Sequence, residues 1–277
     1  MVHARKYPGV AVVSLALLLS AASAQERKEF SYTVGPQAVI SITNTYGAIT
    51  IKPSENREVV VITVSYSTAV SFDHEQHQDR IDLRSISARQ GSGLVDYTVL
   101  IPSGALVNAR SANGTLHAQG LHGDVILQSD AATVEVSDVS DAHLHVNTLT
   151  GSINLTDIRN SHLDVHSVDG NVTLRNVIES SVEVNSTHGR INYDGDPGAT
   201  GEYRLTSHSG DLEVSIPTSA PVEISSRSVN GQADEDVLKH RPSLSVGSGN
   251  MLLKPRISSA ARFVLRSFKG RIHISRP

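Results

Sequence analysis

From Val39 onward the chain alternates apolar and polar residues with a period of two, and a small residue cuts the alternation at regular intervals. A period of two is the signature of an extended strand with one buried face. The interruptions follow one template: apolar, x, apolar, x, Ser or Thr, x, x, Gly, x, apolar, x, apolar. It is filled by Leu144, Val146, Thr148, Gly151, Ile153 and Leu155, then by Leu163, Val165, Ser167, Gly170, Val172 and Leu174. Val182, Val184, Ser186, Gly189, Ile191 and Tyr193 fill it a third time. Further copies centre on Gly114, Ala132, Gly210, Gly231, Gly249 and Gly270, after a first copy at Gly47, and from 114 on the spacings are 18, 19, 19, 19, 21, 21, 18 and 21.

Each copy predicts a strand, a corner and a second strand, with the turn glycine supplying a positive φ. A third inward apolar residue follows at Leu121, Val139, Ile158 and Val177, and a second corner at Gly123, Ala142, Ser161 and Ser180. Two or three short strands cannot bury an apolar face alone, whereas stacked copies bury a continuous column. The pattern therefore predicts an all-β chain folded as a parallel β-solenoid of about nine rungs, with rungs about 4.8 Å apart and a rod on the order of 40 Å long. Ser111, Ser129, Thr148, Ser167, Ser186, Ser207 and Ser226 are expected to form one column of hydroxyls. An antiparallel sandwich also uses short alternating strands but gives no reason for one residue type to return at one offset.

Residues 58–101 break the period. Glu58 to Tyr66, Arg80 to Arg89 and Leu94 to Ile101 read as longer strands, with Asp73 to Asp79 a polar loop or short helix between them. An antiparallel β insert near the N-terminus is expected to cap the open end of the stack. Ala233 to Pro242 reads as a surface excursion. Residues 25–105 are thus a strand and cap region and 106–277 the repeats, together one continuous domain.

The first 24 residues belong to another pattern. Arg5 and Lys6 precede an apolar run from Val10 to Leu19, and Ala22, Ser23 and Ala24 supply small residues for cleavage. This predicts a secretory signal peptide over 1–24, the run being well short of the roughly 20 apolar residues of a membrane span. Its removal leaves 253 of the 277 residues and takes the formal charge from −4 to −6. The mature chain is then periplasmic, cell-surface or extracellular, with no membrane span. Scattered charge of both signs offers no basic stripe for nucleic acid. The absence of Cys excludes disulfides and thiol nucleophiles.

The residues from Val39 to Ile274 resemble the bacterial putative-adhesin family of β-strand repeat proteins, a domain of unknown function. The resemblance is carried by Ile40, Ile42, Gly47, Ile49 and Ile51, by the step from Leu100 to Gly104 into the first regular rung, and by the serial Ser/Thr-x-x-Gly copies. It implies an exported β-solenoid with an envelope or surface role, and no catalytic residues or cofactor.

Function must then be written on outward positions. With Leu144 and Val146 inside, His143 and His145 point outward, and one rung later His162, Asp164 and His166 do so. These five are a candidate metal patch of about 5 Å by 14 Å, of the donor types that hold zinc or copper. Exposed strand histidines on a flat face, which seldom converge, are the plainer alternative. The column His145, Asp164, Glu183, Arg204 and Glu223 is expected to carry exposed ion pairs. Two function classes follow. One is a non-enzymatic scaffold or adhesin whose partners are a glycan, a matrix or another envelope protein. The other is a polysaccharide lyase or hydrolase on the same scaffold, for which Asp194 and Asp196 beside Tyr193 come nearest to the needed acids and sugar-stacking ring. The sparse aromatics, 4% of the chain, favour the first.

Overall fold

The computed structural model describes residues 25–67, 70–87, 93–230 and 260–277. The expected signal segment, the excursion at 233–242 and the copy around Gly249 lie outside the described residues. What is described is all strand, in two eleven-stranded sheets that face each other across one core.

The chain enters through β1 (Glu26–Thr33), β2 (Val39–Tyr46) and β3 (Ile49–Pro53). β2 and β3 form the first rung, one strand in each sheet. The insert follows as β4 (Glu58–Ser65), β5 (Val70–His77), β6 (Arg80–Ser87) and β7 (Val95–Ile101). β7 pairs parallel with β3, β4 pairs antiparallel with β7, and β1 pairs antiparallel with β4. In the other sheet β6 lies parallel to β2 and β5 antiparallel to β6. The cap therefore extends both sheets. The segment expected as a polar loop or short helix, Asp73 to Asp79, is mostly the edge strand β5. An edge strand needs only one ladder and can be polar on both sides, so its alternation is too weak to announce it.

The two cap sheets are sealed by rings. Phe30 of β1 packs on Phe72 and His74 of β5 at centroid distances of 5.1 and 4.3 Å, and His74 stacks on Phe72 at 5.1 Å. The Tyr32 hydroxyl is hydrogen-bonded to His74 Nδ1 at 2.7 Å. Burial holds the His74 imidazolium below its ordinary pKa, against an opposing pull from Asp73, and lifts the Tyr32 phenol to about 12. Folding thus favours a neutral His74. The contribution is complete above the ordinary histidine pKa and is lost as the pH falls from there toward the lowered folded value. We expect the melting temperature to drop between pH 8 and pH 5, and to drop less in a His74→Phe variant; an equal drop in both would remove His74 as a cause.

The regular rungs run β8 (Leu106–Asn113) to β9 (Leu116–Gln119), β10 (Asp124–Ser129) to β11 (Val134–Ser140), and β12 (His143–Thr148) to β13 (Ile153–Arg159). They continue through β14 (His162–Ser167) to β15 (Val172–Ile178), β16 (Ser181–Ser186) to β17 (Ile191–Asp196), and β18 (Glu202–Ser207) to β19 (Leu212–Ser215). Every strand pair from β8 and β9 onward is parallel, and equivalent offsets lie side by side. Val146 pairs with Val165 and Val165 with Val184, all three fully buried. Each such side chain contributes about 1.5–3 kcal/mol by leaving water.

Two features of the corners differ from expectation. Among the described corner glycines only Gly47 and Gly114 have a positive φ, 113° and 141°. The later ones are required by close approach: a Cβ on Gly170 or Gly189 would stand 2.2 or 1.7 Å from the carbonyl oxygen of Gly151 or Gly170 in the rung below. The left-handed conformation sits at the far end of the rung instead. Asp138, Asp157 and Asn176 (φ 55°, 57° and 53°) form one column, and Asp141, Asn160 and Glu179 (φ 52°, 45° and 48°) another. Asx residues tolerate this region through short local hydrogen bonds. The first column carries the extra residue that turns Val139, Ile158 and Val177 back inside.

The hydroxyl column is present and has a use. Ser111, Thr148, Ser167 and Ser186 each donate to the carbonyl of the corner glycine three residues on, at 3.0–3.2 Å, and Ser129 does the same to Ala132. These hydroxyls satisfy backbone groups that the corner would otherwise bury unpaired.

The last strands depart from chain order. β20 (Val222–Ser228) follows β19, yet β21 (Ala261–Ser267) lies between β18 and β20, and β22 (Ile272–Ser275) pairs with β19. In this register Ser228, not Ser226, continues the hydroxyl column, donating to the Gly270 carbonyl at 2.9 Å. The expected ion-pair column likewise ends at Arg204, whose next neighbour is Val264, while Glu223 lies opposite Arg262.

Candidate functional site

Outward side chains of the second sheet, between the two corners, place the histidines as their offsets require. His143 lies beside His162 with ring centroids 5.8 Å apart, and His145 lies beside Asp164. Asp164 is held between two imidazoles, its carboxylate meeting His145 Nδ1 at 2.9 Å and His166 Nε2 at 3.0 Å. The Asn147 amide meets the other nitrogen of His145 at 2.7 Å. Three of the five candidate residues, His145, Asp164 and His166, are therefore tied to one another by hydrogen bonds or ion pairs, while His143 and His162 meet ring to ring and His143 also approaches Asp124 at 3.7 Å. Among the described residues, no group of three or more His, Cys, Asp or Glu side chains has the arrangement of a metal site. Alternation continues as Arg204 pairs with Glu183 at 3.2 Å. Both side chains are about half exposed, so the pair contributes a few tenths of a kcal/mol.

The acids considered for sugar chemistry are arranged otherwise. Asp194 and Asp196 both point outward from β17, and Asp196 caps its own turn by accepting from the Gly198 amide at 3.0 Å. Tyr193, the ring a sugar would need beside them, is turned inside and is 2% exposed. It packs edge-on against Tyr203 and Phe263 at 5.3 and 5.6 Å. The rung supplies Gly195 where its predecessor has Val177, and the Tyr193 ring occupies the room that leaves.

A feature that hydropathy alone did not announce runs along the first corner. From Ser129 on, the residue after each column hydroxyl points outward, and in stack order these are Asp130, Leu149, Val168, Thr187, His208, Phe268 and Val229. Their order is fixed by the corner hydrogen bonds, for example Asp169 N to Leu149 O and Asn230 N to Phe268 O. Leu149, Val168, Phe268 and Val229 are 53%, 45%, 40% and 54% exposed, and the His208 imidazole stacks flat on Phe268 at 5.1 Å. The result is a narrow ridge on the order of 30 Å long at about 4.8 Å per rung. Large side chains kept in water in a row are a mark of contact surfaces. The signal was in the sequence, as an apolar residue following the Ser or Thr in four of these seven copies, but it shows only when the copies are aligned in stack order.

The family model of the Toastrack DUF4097 domain matches residues 37–251, most of the chain and most of its rungs. The chain belongs to the Toastrack DUF4097 family. The match stops short of β21 and β22, so the C-terminal copy of this Toastrack chain lies outside it. No curated protein matches the chain. Among solved structures, "a putative cell adhesion protein from Clostridium sporogenes ATCC 15579" aligns over 91% of this Toastrack chain and 100% of its own length. At 9% identity and a TM-score of 0.29 that likeness is too distant to carry an argument.

Proposed function

We propose that this Toastrack chain is an exported, non-enzymatic envelope or surface protein, and that its corner ridge is the surface by which it holds a partner. Export is supported by the charged, apolar and small-residue succession of residues 1–24. The observation that carries the contact role is the ridge from Leu149 to Val229, four large apolar side chains kept in water along one line. The flanking face, with its histidines and acid–base pairs, gives the ridge a polar border, the composition of a binding surface with an apolar centre. The partner class is another envelope protein, a matrix protein or a glycan. The lyase or hydrolase alternative is weakened by Tyr193, whose ring packs in the core and leaves Asp194 and Asp196 without a platform for a sugar.

The test is a binding array of matrix proteins and cell-wall polysaccharides, with the same polysaccharides assayed for new reducing ends and unsaturated products. We expect binding without turnover, weakened at least about fivefold by a Leu149→Ser/Phe268→Ser variant, the effect of losing roughly 1 kcal/mol at a contact centre. Binding unchanged in that variant would remove the ridge from the account. Turnover that disappears in Asp194→Asn/Asp196→Asn would establish the enzyme instead.

A further inference from the structure

The C-terminal repeat is held as an inserted element. β21 is hydrogen-bonded on one side to β18 and on the other to β20, and β22 extends β19. Its inward residues Ala261, Phe263, Leu265 and Ser267 are no more than 3% exposed. Phe263 stacks flat on Tyr203 at 4.4 Å, and the Arg276 guanidinium takes the carbonyls of Pro217, Thr218 and Ala220 at 3.0, 3.1 and 2.7 Å. All of these contacts are made to parts of the stack that are remote in sequence.

Two further facts bear on whose C-terminal repeat fills this slot. Gly231 follows Gly210 by 21 residues, the same step that separates Gly210 from Gly189. β20 therefore has the spacing to lie directly on β18, and the stack has two ways to continue. Second, residues 229–260 separate β20 from β21, a length of chain that reaches up to roughly 100 Å at about 3.3 Å per residue. A C-terminal repeat on so long a connection reaches a neighbouring molecule as well as its own stack, and makes the same backbone ladders, the same Phe263–Tyr203 stack and the same Arg276 clamp there. Exchange of identical elements between copies needs no new contact.

We propose that the slot between β18 and β20 is a strand-acceptor site that takes the C-terminal repeat of a second copy of this chain. Copies assemble by exchanging residues 261–277. The chain's own repeat and a neighbour's compete for the slot, and the concentration of the protein sets which one fills it. This proposal stands apart from the ridge and its partner.

The lack of Cys makes the exchange measurable on the full chain. Thr206 and Arg266 are direct neighbours across β18 and β21, with side chains outside the core, at the Cα separation of adjacent strands that a disulfide bridges. A Thr206→Cys/Arg266→Cys double variant should close a disulfide within one chain, which reports both folding and register. Thr206→Cys and Arg266→Cys single variants, tagged to differ in mass, are then mixed at high concentration and oxidised. We expect a disulfide heterodimer on non-reducing electrophoresis, in clear excess over a mixture of Thr206→Cys with His117→Cys, which lies in the other sheet. A double variant that closes within the chain while the single variants form no heterodimer above that control overturns the exchange. A double variant that fails to close overturns the inserted order itself.

Discussion

Gly189→Val will unfold the stack at mid-length, at a cost of at least about 4 kcal/mol, in the range reached only by steric or buried-charge damage. The reason is geometric. Corner residues of successive rungs lie directly over one another, and a Cβ at position 189 would point down the stack to within 1.7 Å of the Gly170 carbonyl oxygen and 3.1 Å of the Asn171 amide. Neither atom is the end of a flexible side chain, so two rungs must separate. Separation breaks the ladders of β16 and β17 with β14 and β15 and opens the Val165–Val184 contact. The neighbouring His188→Val, at an exposed position, should change stability by less than about 0.5 kcal/mol. Chemical denaturation of both variants decides it, and a Gly189→Val protein as stable as the parent would mean that the corners are not stacked. The chain carries one natural Cβ in this column, at Ala132. The residue beneath it, Gly114, has a φ of 141°, unlike the glycines that follow.

The second large effect is expected at Phe263→Ala, about 3–5 kcal/mol for emptying a buried aromatic site. Phe263 is fully buried and completes the cluster with Tyr203 and Tyr193. Loss of the ring leaves a cavity between rungs and removes the main apolar reason for the C-terminal copy to lie on β18. Because β20 reaches the stack through β21, both strands should lose hydrogen-exchange protection together while β10 to β16 keep theirs. Retained protection in β20 alone would mean that it has moved onto β18, the alternative its spacing allows.

That competition explains what the sequence could and could not convey. The columns were legible because an inward residue in a stacked copy must be apolar every time: Val146, Val165 and Val184 repeat at one offset and stack as the offset predicts. The same holds for the hydroxyls, since each corner buries a carbonyl in need of a donor. Chain order at the far end was not legible. The copies ending at Ser228 and Ser267 have compatible spacing, and they differ in what they present to β18. β21 offers Phe263 and Leu265 to Tyr203 and Leu205, whereas β20 would offer Ile224 and Ser226. Burying Leu265 in place of a serine favours the inserted order by an amount on the order of 2 kcal/mol, and no local pattern states which copy is nearer. The cap hid its parts for a related reason. His74 is a surface histidine by its neighbours in sequence and becomes the filling between Phe30, Phe72 and Tyr32 only when two sheets meet. The histidine face was legible in its offsets, while the hydrogen bonds that hold Asp164 between His145 and His166 depend on rotamers that spacing does not specify.

A pile of parallel strands is, at its first rung, a template for adding more strands without limit, as fibrils do. Here charge opposes that growth. β4 runs antiparallel on the outside of β7 and β1 antiparallel on β4, and among the described residues the outer border belongs to β1, which carries Glu26, Arg27, Lys28 and Glu29, neutralised among themselves as Lys28–Glu26 and Arg27–Glu29 pairs. An incoming strand of like kind would have to strip water from four charges that already have partners, so this border of the column resists further stacking.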